Sequence, residues 1–297
     1  MEIHRDEYPW IEIGETMNHP ILISTAAYDG YELTVSLAEI AKLGLHRVEL
    51  AFIEGYTDPF TEDVFSEANA KRITDILREN ALSCLSFSAH MDLSGGQAIN
   101  IFKRRMRFAK MLDAKYIISN AGPLERSPIF LKNMEKLAEL ADALDIIIAL
   151  ENPGDGKKNI INSGQDAPAV LREIGSSRVS LNYDFGNLIS HCFEKLKPEE
   201  DYKHALPYTG HFHIKDVVSD EKGWHFTEIG KGAIDYHAIL KELAGLPEAV
   251  PLSLEIPLRI TRAKDASPRR ADMRVDLKTI RQVMKGSLDF VKNALSS

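Results

Sequence analysis

Four short segments of the chain end in side chains that together could hold a cation. They read Ala149-Leu150-Glu151-Asn152-Pro153, Leu181-Asn182-Tyr183-Asp184-Phe185-Gly186-Asn187, His211-Phe212-His213-Ile214-Lys215-Asp216 and Leu252-Ser253-Leu254-Glu255-Ile256-Pro257. In an extended chain, successive side chains point to opposite faces. Glu255 therefore shares a face with Ser253, Asp184 with Asn182 and Ser180, and His213 with His211 and Lys215. Leu252, Leu254, Leu181 and Tyr183 fall on the other face. If the polar faces converge, three carboxylates and an imidazole share one small volume. Desolvating an unpaired carboxylate costs several kcal/mol, and neighbouring like charges add to that. One divalent cation removes the difficulty by taking oxygen from Glu151, Asp184 and Glu255 and nitrogen from His213. Mn, Mg, Co or Zn suits such a mixed set, and three oxygens tilt it toward Mn or another hard ion. A lone carboxylate at a strand end more often caps a helix, and a lone strand histidine is more often a satisfied core residue. Four in succession carry the reading.

These residues need a frame that brings strand ends together. Short β-rich runs occupy 20–26, 46–51, 82–89, 115–120, 146–151, 178–184, 209–215 and 250–256. Amphipathic helical patterns occupy 33–43, 61–80, 102–112, 131–144, 167–174, 236–246 and 277–295, with a weaker one at 190–206. Strand-then-helix order implies parallel strands joined by right-handed crossovers. Eight such units in 297 residues suit a closed (β/α)8 barrel, whose functional residues gather at the carboxyl ends of the strands. An open doubly wound sheet would carry a glycine-rich phosphate turn after its first strand, and Ser24–Tyr28 has none. The expected fold is a single α/β TIM barrel over 20–297 with an N-terminal extension over 1–19. Segment 263–274, rich in Lys, Arg and Asp, is expected to be a solvated excursion after the eighth strand.

Composition bounds the partners. The formal net charge is −8, which opposes binding to a phosphate backbone, so nucleic acid is not expected. No apolar run approaches the roughly 20 residues of a membrane span, and the charged first ten residues lack the apolar core of a secretory signal. Two cysteines, Cys84 and Cys192, make no disulfide framework. A cytoplasmic protein is expected.

The motifs resemble those of the sugar isomerase/epimerase superfamily of xylose-isomerase-like barrels, which includes ketose 3-epimerases, hydroxypyruvate isomerase and inosose dehydratase. The matching segments are Glu151-Asn152-Pro153, Asp184-Phe185-Gly186-Asn187, His213-Ile214-Lys215-Asp216, Ile229-Gly230-Lys231-Gly232-Ala233-Ile234-Asp235-Tyr236 and Leu254-Glu255-Ile256-Pro257. Arg47-Val48-Glu49-Leu50 and Ser88-Ala89-His90 fit as well. The resemblance implies one metal on Glu151, Asp184, His213 and Glu255, with Glu151 and Glu255 as the acid/base pair. It also implies a small sugar-like substrate and leaves room for a homo-oligomer. Proton transfer next to a carbonyl needs a base on the C–H and stabilisation of the enediolate oxygens. Two glutamates on opposite sides of the substrate give epimerisation, and one working alone gives isomerisation.

Around that centre, His90, Asn120, Asn187 and Lys215 are expected to contact substrate. Lys215 could instead pair with Asp216 or Glu228, and Asn152 could also reach a hydroxyl. His211 would either orient a ligand from one layer below or be inert. Gly230–Gly232 would form a turn at the rim, and Arg259 is the other basic residue expected near the site. Ketose 3-epimerases carry histidine where this chain has Asn187, which argues against a free ketohexose. A lyase of the inosose dehydratase type begins with the same proton abstraction, and Lys215 or His90 could serve as its acid. Endonuclease IV-like repair enzymes share the fold but use three zinc ions and histidines that this chain lacks. A non-catalytic sugar-binding barrel would not need two carboxylates straddling a metal.

Overall fold

The computed structural model describes residues 19–296. Eight parallel strands close into a barrel. They are β1 (Ile21–Ser24), β2 (Arg47–Ala51), β3 (Ser83–Asp92), β4 (Tyr116–Asn120), β5 (Ile147–Glu151), β6 (Val179–Asp184), β7 (Thr209–Ile214) and β10 (Leu252–Leu254). Around the barrel the order is β1-β10-β7-β6-β5-β4-β3-β2. The expected TIM barrel is therefore present.

Alternation sorts the two faces of each strand. Leu181, Tyr183, Leu252 and Leu254 are buried in the apolar layer between strands and helices. Each such side chain contributes about 1.5–3 kcal/mol of burial. The other face fills the barrel interior with polar groups that meet across it. Ser86 Oγ on β3 lies 2.8 Å from His211 Nε2 on β7, and those strands are not neighbours.

Helices close the outer ring, among them α1 (Leu33–Ala41), α2 (Glu67–Glu79), α3 (Ala98–Met111), α4 (Ser127–Leu144), α5 (Ala167–Ile174), α6 (Phe185–His191), α7 (Pro198–Ala205), α8 (Tyr236–Ala244) and α9 (Leu277–Leu295). On α2, Ala70, Ile73, Ile76 and Leu77 form the buried stripe expected of a 3.6-residue period. The Ser66 and Asp276 side chains cap α2 and α9 by accepting from Asn69 N and Thr279 N. The helical pattern at 190–206 resolves into α7 alone, preceded by α6 over its first two residues. Residues 61–66 carry a short 3-10 turn before α2 begins. Of the extension expected over 1–19, all but His19 lies outside the described residues. His19 is tied to the barrel base, its ring nitrogens 2.9 and 2.8 Å from the Val250 and Leu243 carbonyl oxygens. Among the described residues no helix is long and apolar enough to cross a membrane.

The excursion at 263–274 is largely exposed, as expected, but it is tied into a second sheet. It follows β11 (Ile260–Ala263) and carries β12 (Pro268–Arg270), two strands of a second, antiparallel sheet. The other two strands are a hairpin after β7, β8 (Asp216–Asp220) and β9 (Gly223–Thr227), and the order is β12-β11-β9-β8. Lys264, Arg269 and Arg274 are exposed, whereas Arg270 and the preceding Arg259 are anchored. Arg270 grips the buried Asp29 carboxylate through Nε and Nη2 at 2.7 and 2.8 Å, and Arg259 Nη1 reaches the same group at 3.2 Å. Burying Asp29 demanded such partners.

Candidate metal centre and active site

β5, β6, β7 and β10 are consecutive staves of the barrel, and their carboxyl ends deliver Glu151, Asp184, His213 and Glu255 to one point. One ligand-capable atom from each lies within 4.8 Å of the others, and all four residues are buried. His213 Nδ1 is the hub, 2.6 Å from Glu151, 3.3 Å from Glu255 and 3.6 Å from Asp184.

Local structure holds each group in place. Asp184 ends β6 and opens α6, so its Oδ1 accepts the Asn187 N–H at 2.8 Å as a helix cap. Its Oδ2 is left facing the site, buried and without a well-formed hydrogen bond, with the Lys215 ammonium 2.7 Å away. Asn152 clamps β5 to β6 by donating from Nδ2 to Asp184 O at 3.0 Å and accepting the Asp184 N–H at 2.8 Å. Asn182 donates to Glu151 Oε1 at 3.1 Å.

His213 is oriented from the far side of the barrel. Its Nε2 lies 3.0 Å from Glu49 Oε2, and the fully buried Glu49 also accepts from Ser88 Oγ at 3.0 Å. A carboxylate on one ring nitrogen fixes the tautomer and turns the other nitrogen toward the site. Glu49 sits in one of the matching motifs but carries no role in the sequence reading. The signal that could have found it is the alternation of β2, which turns Glu49 inward between Val48 and Leu50. His211 lies in the layer below, with Nδ1 2.8 Å from Asn182 Oδ1 and Nε2 2.8 Å from Ser86 Oγ. Glu49, His211 and His213 also lie close enough to share an ion. Both His211 nitrogens and Glu49 already have protein partners, so this group supports the upper one.

The charges balance within the site. Burial opposes charge on His213, but Glu49 and Glu255 outweigh it and hold the ring well above the usual histidine range. Burial likewise opposes Lys215, and Asp184 and Glu255 hold it firmly protonated. Burial would raise Asp184, but the Lys215 ammonium pulls it down to about 2. For Glu255, burial prevails over Lys215 and His213, and its carboxyl is raised. Burial pushes His211 down to about 3, so it is neutral.

Lys215 reaches the site because Gly186 makes room. A Cβ there would stand 2.4 Å from Lys215 Cγ. The Lys215 backbone is held by the Tyr236 hydroxyl, which accepts from its N–H at 3.0 Å and donates to its carbonyl at 2.9 Å. Lys215 Nζ lies 2.5 Å from Glu255 Oε2, and neither Asp216 nor Glu228 is its partner. Asp216 instead organises the rim turn by accepting from Gly230, Gly232 and Ile234 N–H groups at 3.0, 2.8 and 3.2 Å. Glu228 pairs with Lys231 at 2.9 Å.

A cavity of about 740 Å³ opens above the cluster, and His90, Asn120, Asn187 and Lys215 all line it with Glu151 and Glu255. The His90 ring stacks over His213 with centroids 6.5 Å apart, its Nδ1 3.5 Å from Glu151 Oε2 and its buried Nε2 without a partner. Asn187 is already engaged. It donates to Asn152 O at 3.1 Å and accepts from Arg262 Nη2 at 3.3 Å. Arg259 is bound to Asp29 and does not line the cavity, whereas Arg262 does. The sequence reading missed Arg262 because nothing in it marked β11 as a strand.

The donor set fits a divalent ion. It offers three carboxylates and one imidazole nitrogen, with an Asp184 oxygen aimed inward beside the Lys215 ammonium and the imidazole braced by Glu49.

Several solved structures share this architecture. A D-psicose 3-epimerase solved in the presence of D-fructose is 16% identical, with 94% of this chain and 100% of that chain covered, at TM-score 0.70. An L-ribulose 3-epimerase is 18% identical, covering 94% and 95% at TM-score 0.67. A probable 3-DHS dehydratase involved in petrobactin synthesis, from Bacillus anthracis, is 14% identical, covering 92% and 98% at TM-score 0.67. Comparison with curated protein sequences returns no match. The family model of the xylose isomerase-like TIM barrel matches residues 37–283, and the chain belongs to that family.

Proposed function

We propose that this chain is a divalent-metal-dependent isomerase or epimerase acting on a small sugar or sugar-derived keto compound by proton transfer through an enediolate. The observation that carries the reading is the convergence of Glu151, Asp184, His213 and Glu255 within 4.8 Å at the floor of a cavity large enough for such a substrate. An ion on those four residues, Mn by the hardness of the set, would polarise a carbonyl and offset charge developing on its oxygen.

The chain's own residues account for the rest. Glu151 and Glu255 stand at the two ends of the arc β5-β6-β7-β10, with Asp184 and His213 between them. They can therefore approach a substrate from two sides. Burial raises the Glu255 carboxyl, which brings it toward the range where a carboxyl exchanges protons efficiently near neutrality. His90 and Asn120 supply polar contacts from the wall, and Lys215 places a fixed positive charge beside Glu255. The 3-epimerases among the structural neighbours support the class.

The test is incubation of the Mn-loaded protein with ketoses, keto acids and 3-keto-glycosides in D₂O, read by NMR. Deuterium should enter at a carbon next to the carbonyl without loss of water. Glu255→Gln should lower that exchange about 10²–10⁴-fold while the fold is kept. Retained exchange would remove Glu255 from the acid/base role.

A dehydratase is the second reading. It is favoured by the unpartnered His90 Nε2, which could protonate a departing hydroxyl, and by the dehydratase among the structural neighbours. Loss of water with deuterium uptake would select it.

A further inference from the structure

Arg262 is a buried cation whose charge no carboxylate among the described residues meets. It is 5% exposed and lines the cavity. Its hydrogen-bond partners among the described residues are all uncharged. Nη1 donates to Ala266 O at 3.2 Å, and Nη2 to Tyr56 Oη at 2.5 Å and Asn187 Oδ1 at 3.3 Å. Its Nε has no partner although it is buried. Two nearby arginines behave differently. Arg259 and Arg270 each pair with Asp29.

The surroundings are shaped to hold this guanidinium where it is. A Cβ on Gly154 would lie 2.8 Å from Arg262 Cζ and 2.8 Å from Nη2, so only glycine lets the group rest against the loop that follows Glu151. The Tyr56 ring adds a face 5.7 Å from Cζ. The carboxylates lining the cavity are used elsewhere or stand apart. Asp92 pairs with Arg126 and Asp155 faces His191, while Glu255 is held by Lys215. Rim residues Glu54 and Glu125 make no ion pair with Arg262. An unpaired buried charge is costly unless it completes its pairing with something that binds. Arginine's planar fork suits oxyanions in particular.

We infer that Arg262 is a specificity-determining residue that receives an anionic group of the substrate, so the natural substrate is a keto compound bearing a carboxylate or a phosphate. The inference rests on the isomerase or epimerase reading above. It adds that β11, outside the barrel itself, selects for charge.

The test compares kcat/KM for solvent deuterium exchange across three matched compounds on the Mn-loaded full chain: a neutral ketose, the keto acid of the same carbon skeleton, and the ketose phosphate. The wild-type protein should prefer one of the anionic compounds over the neutral one by at least about tenfold. The anion preferred identifies carboxylate or phosphate. Arg262→Gln should collapse that ratio, and Arg262→Lys should restore part of it. A purely structural Arg262 would lower all three rates together and leave the ratio unmoved, which would overturn the inference. Equal or better use of the neutral ketose by the wild type would overturn it without any variant, and without touching the isomerase or epimerase reading. Absence of exchange with every compound would instead refute that reading.

Discussion

At the residue scale, the site depends on one imidazole held between two sets of acids. His213 donates toward Glu49 through Nε2 and faces Glu151, Asp184 and Glu255 through Nδ1. Glu49 touches none of the reacting space, yet it decides which nitrogen is available. Glu49→Gln keeps the shape of the side chain but removes the charge that favours a proton on Nε2. The expected result is a loss of about 10–100-fold in Mn²⁺ affinity, measured by isothermal titration, with the secondary structure unchanged. Unaltered affinity would show that His213 needs no such brace. Glu49 was legible in outline, since the residues around it match the family pattern. Its role was not, because only closure of the barrel brings β2 opposite β7.

At the element scale, the candidate ligands are aligned by backbone clamps between strand ends. Asn152 bridges both the N–H and the carbonyl of Asp184, which ties the end of β5 to the end of β6. Asn152→Ala would leave the buried Asp184 N–H without a partner, at about 1–3 kcal/mol. The variant should unfold at lower denaturant concentration by that margin, and its metal affinity should fall because Glu151 and Asp184 lose their common reference. A midpoint equal to wild type would mean that the strand ends hold their register unaided. The strand-end residues themselves were readable, because period-two alternation and strand-helix order are local signals. The antiparallel sheet was not. β8, β9, β11 and β12 fall outside the strand-then-helix order that marks the barrel strands, and β12 begins at a proline. Segment 263–274 is largely exposed, as its charge suggests, but the bond from Arg270 to Asp29 spans 241 residues of sequence and is visible only once the chain is folded.

At the scale of the whole molecule, the barrel interior stores a charge arrangement that a metal would rewrite. Three buried carboxylates are now met by the Lys215 ammonium and a charged His213 ring. Uptake of a divalent ion on the same four residues must release the Nδ1 proton of His213 and displace the ammonium from Asp184. The sign of the pH dependence follows. His213 is raised in the folded, metal-free chain, so its contribution to stability is full below its unfolded value of about 6.5 and fades as pH rises through the raised value. Asp184 is lowered to about 2, so its contribution is present above about 3.9 and lost only as pH falls through about 2. Between pH 5.5 and 8 Asp184 therefore stays ionised, and the proton on His213 is the competitor. Metal affinity should climb with pH by up to about tenfold per unit while that ring is charged. Because a ligand of the folded state stabilises by about 2.7 kcal/mol at a hundred times its Kd, the increment in Tm on adding a fixed concentration of Mn²⁺ should grow from pH 5.5 to pH 8. Thermal melts of the full chain with and without Mn²⁺ at the two pH values measure this. An increment independent of pH would mean that His213 Nδ1 is not a ligand, and no increment at either pH would mean that the four residues meet without holding an ion.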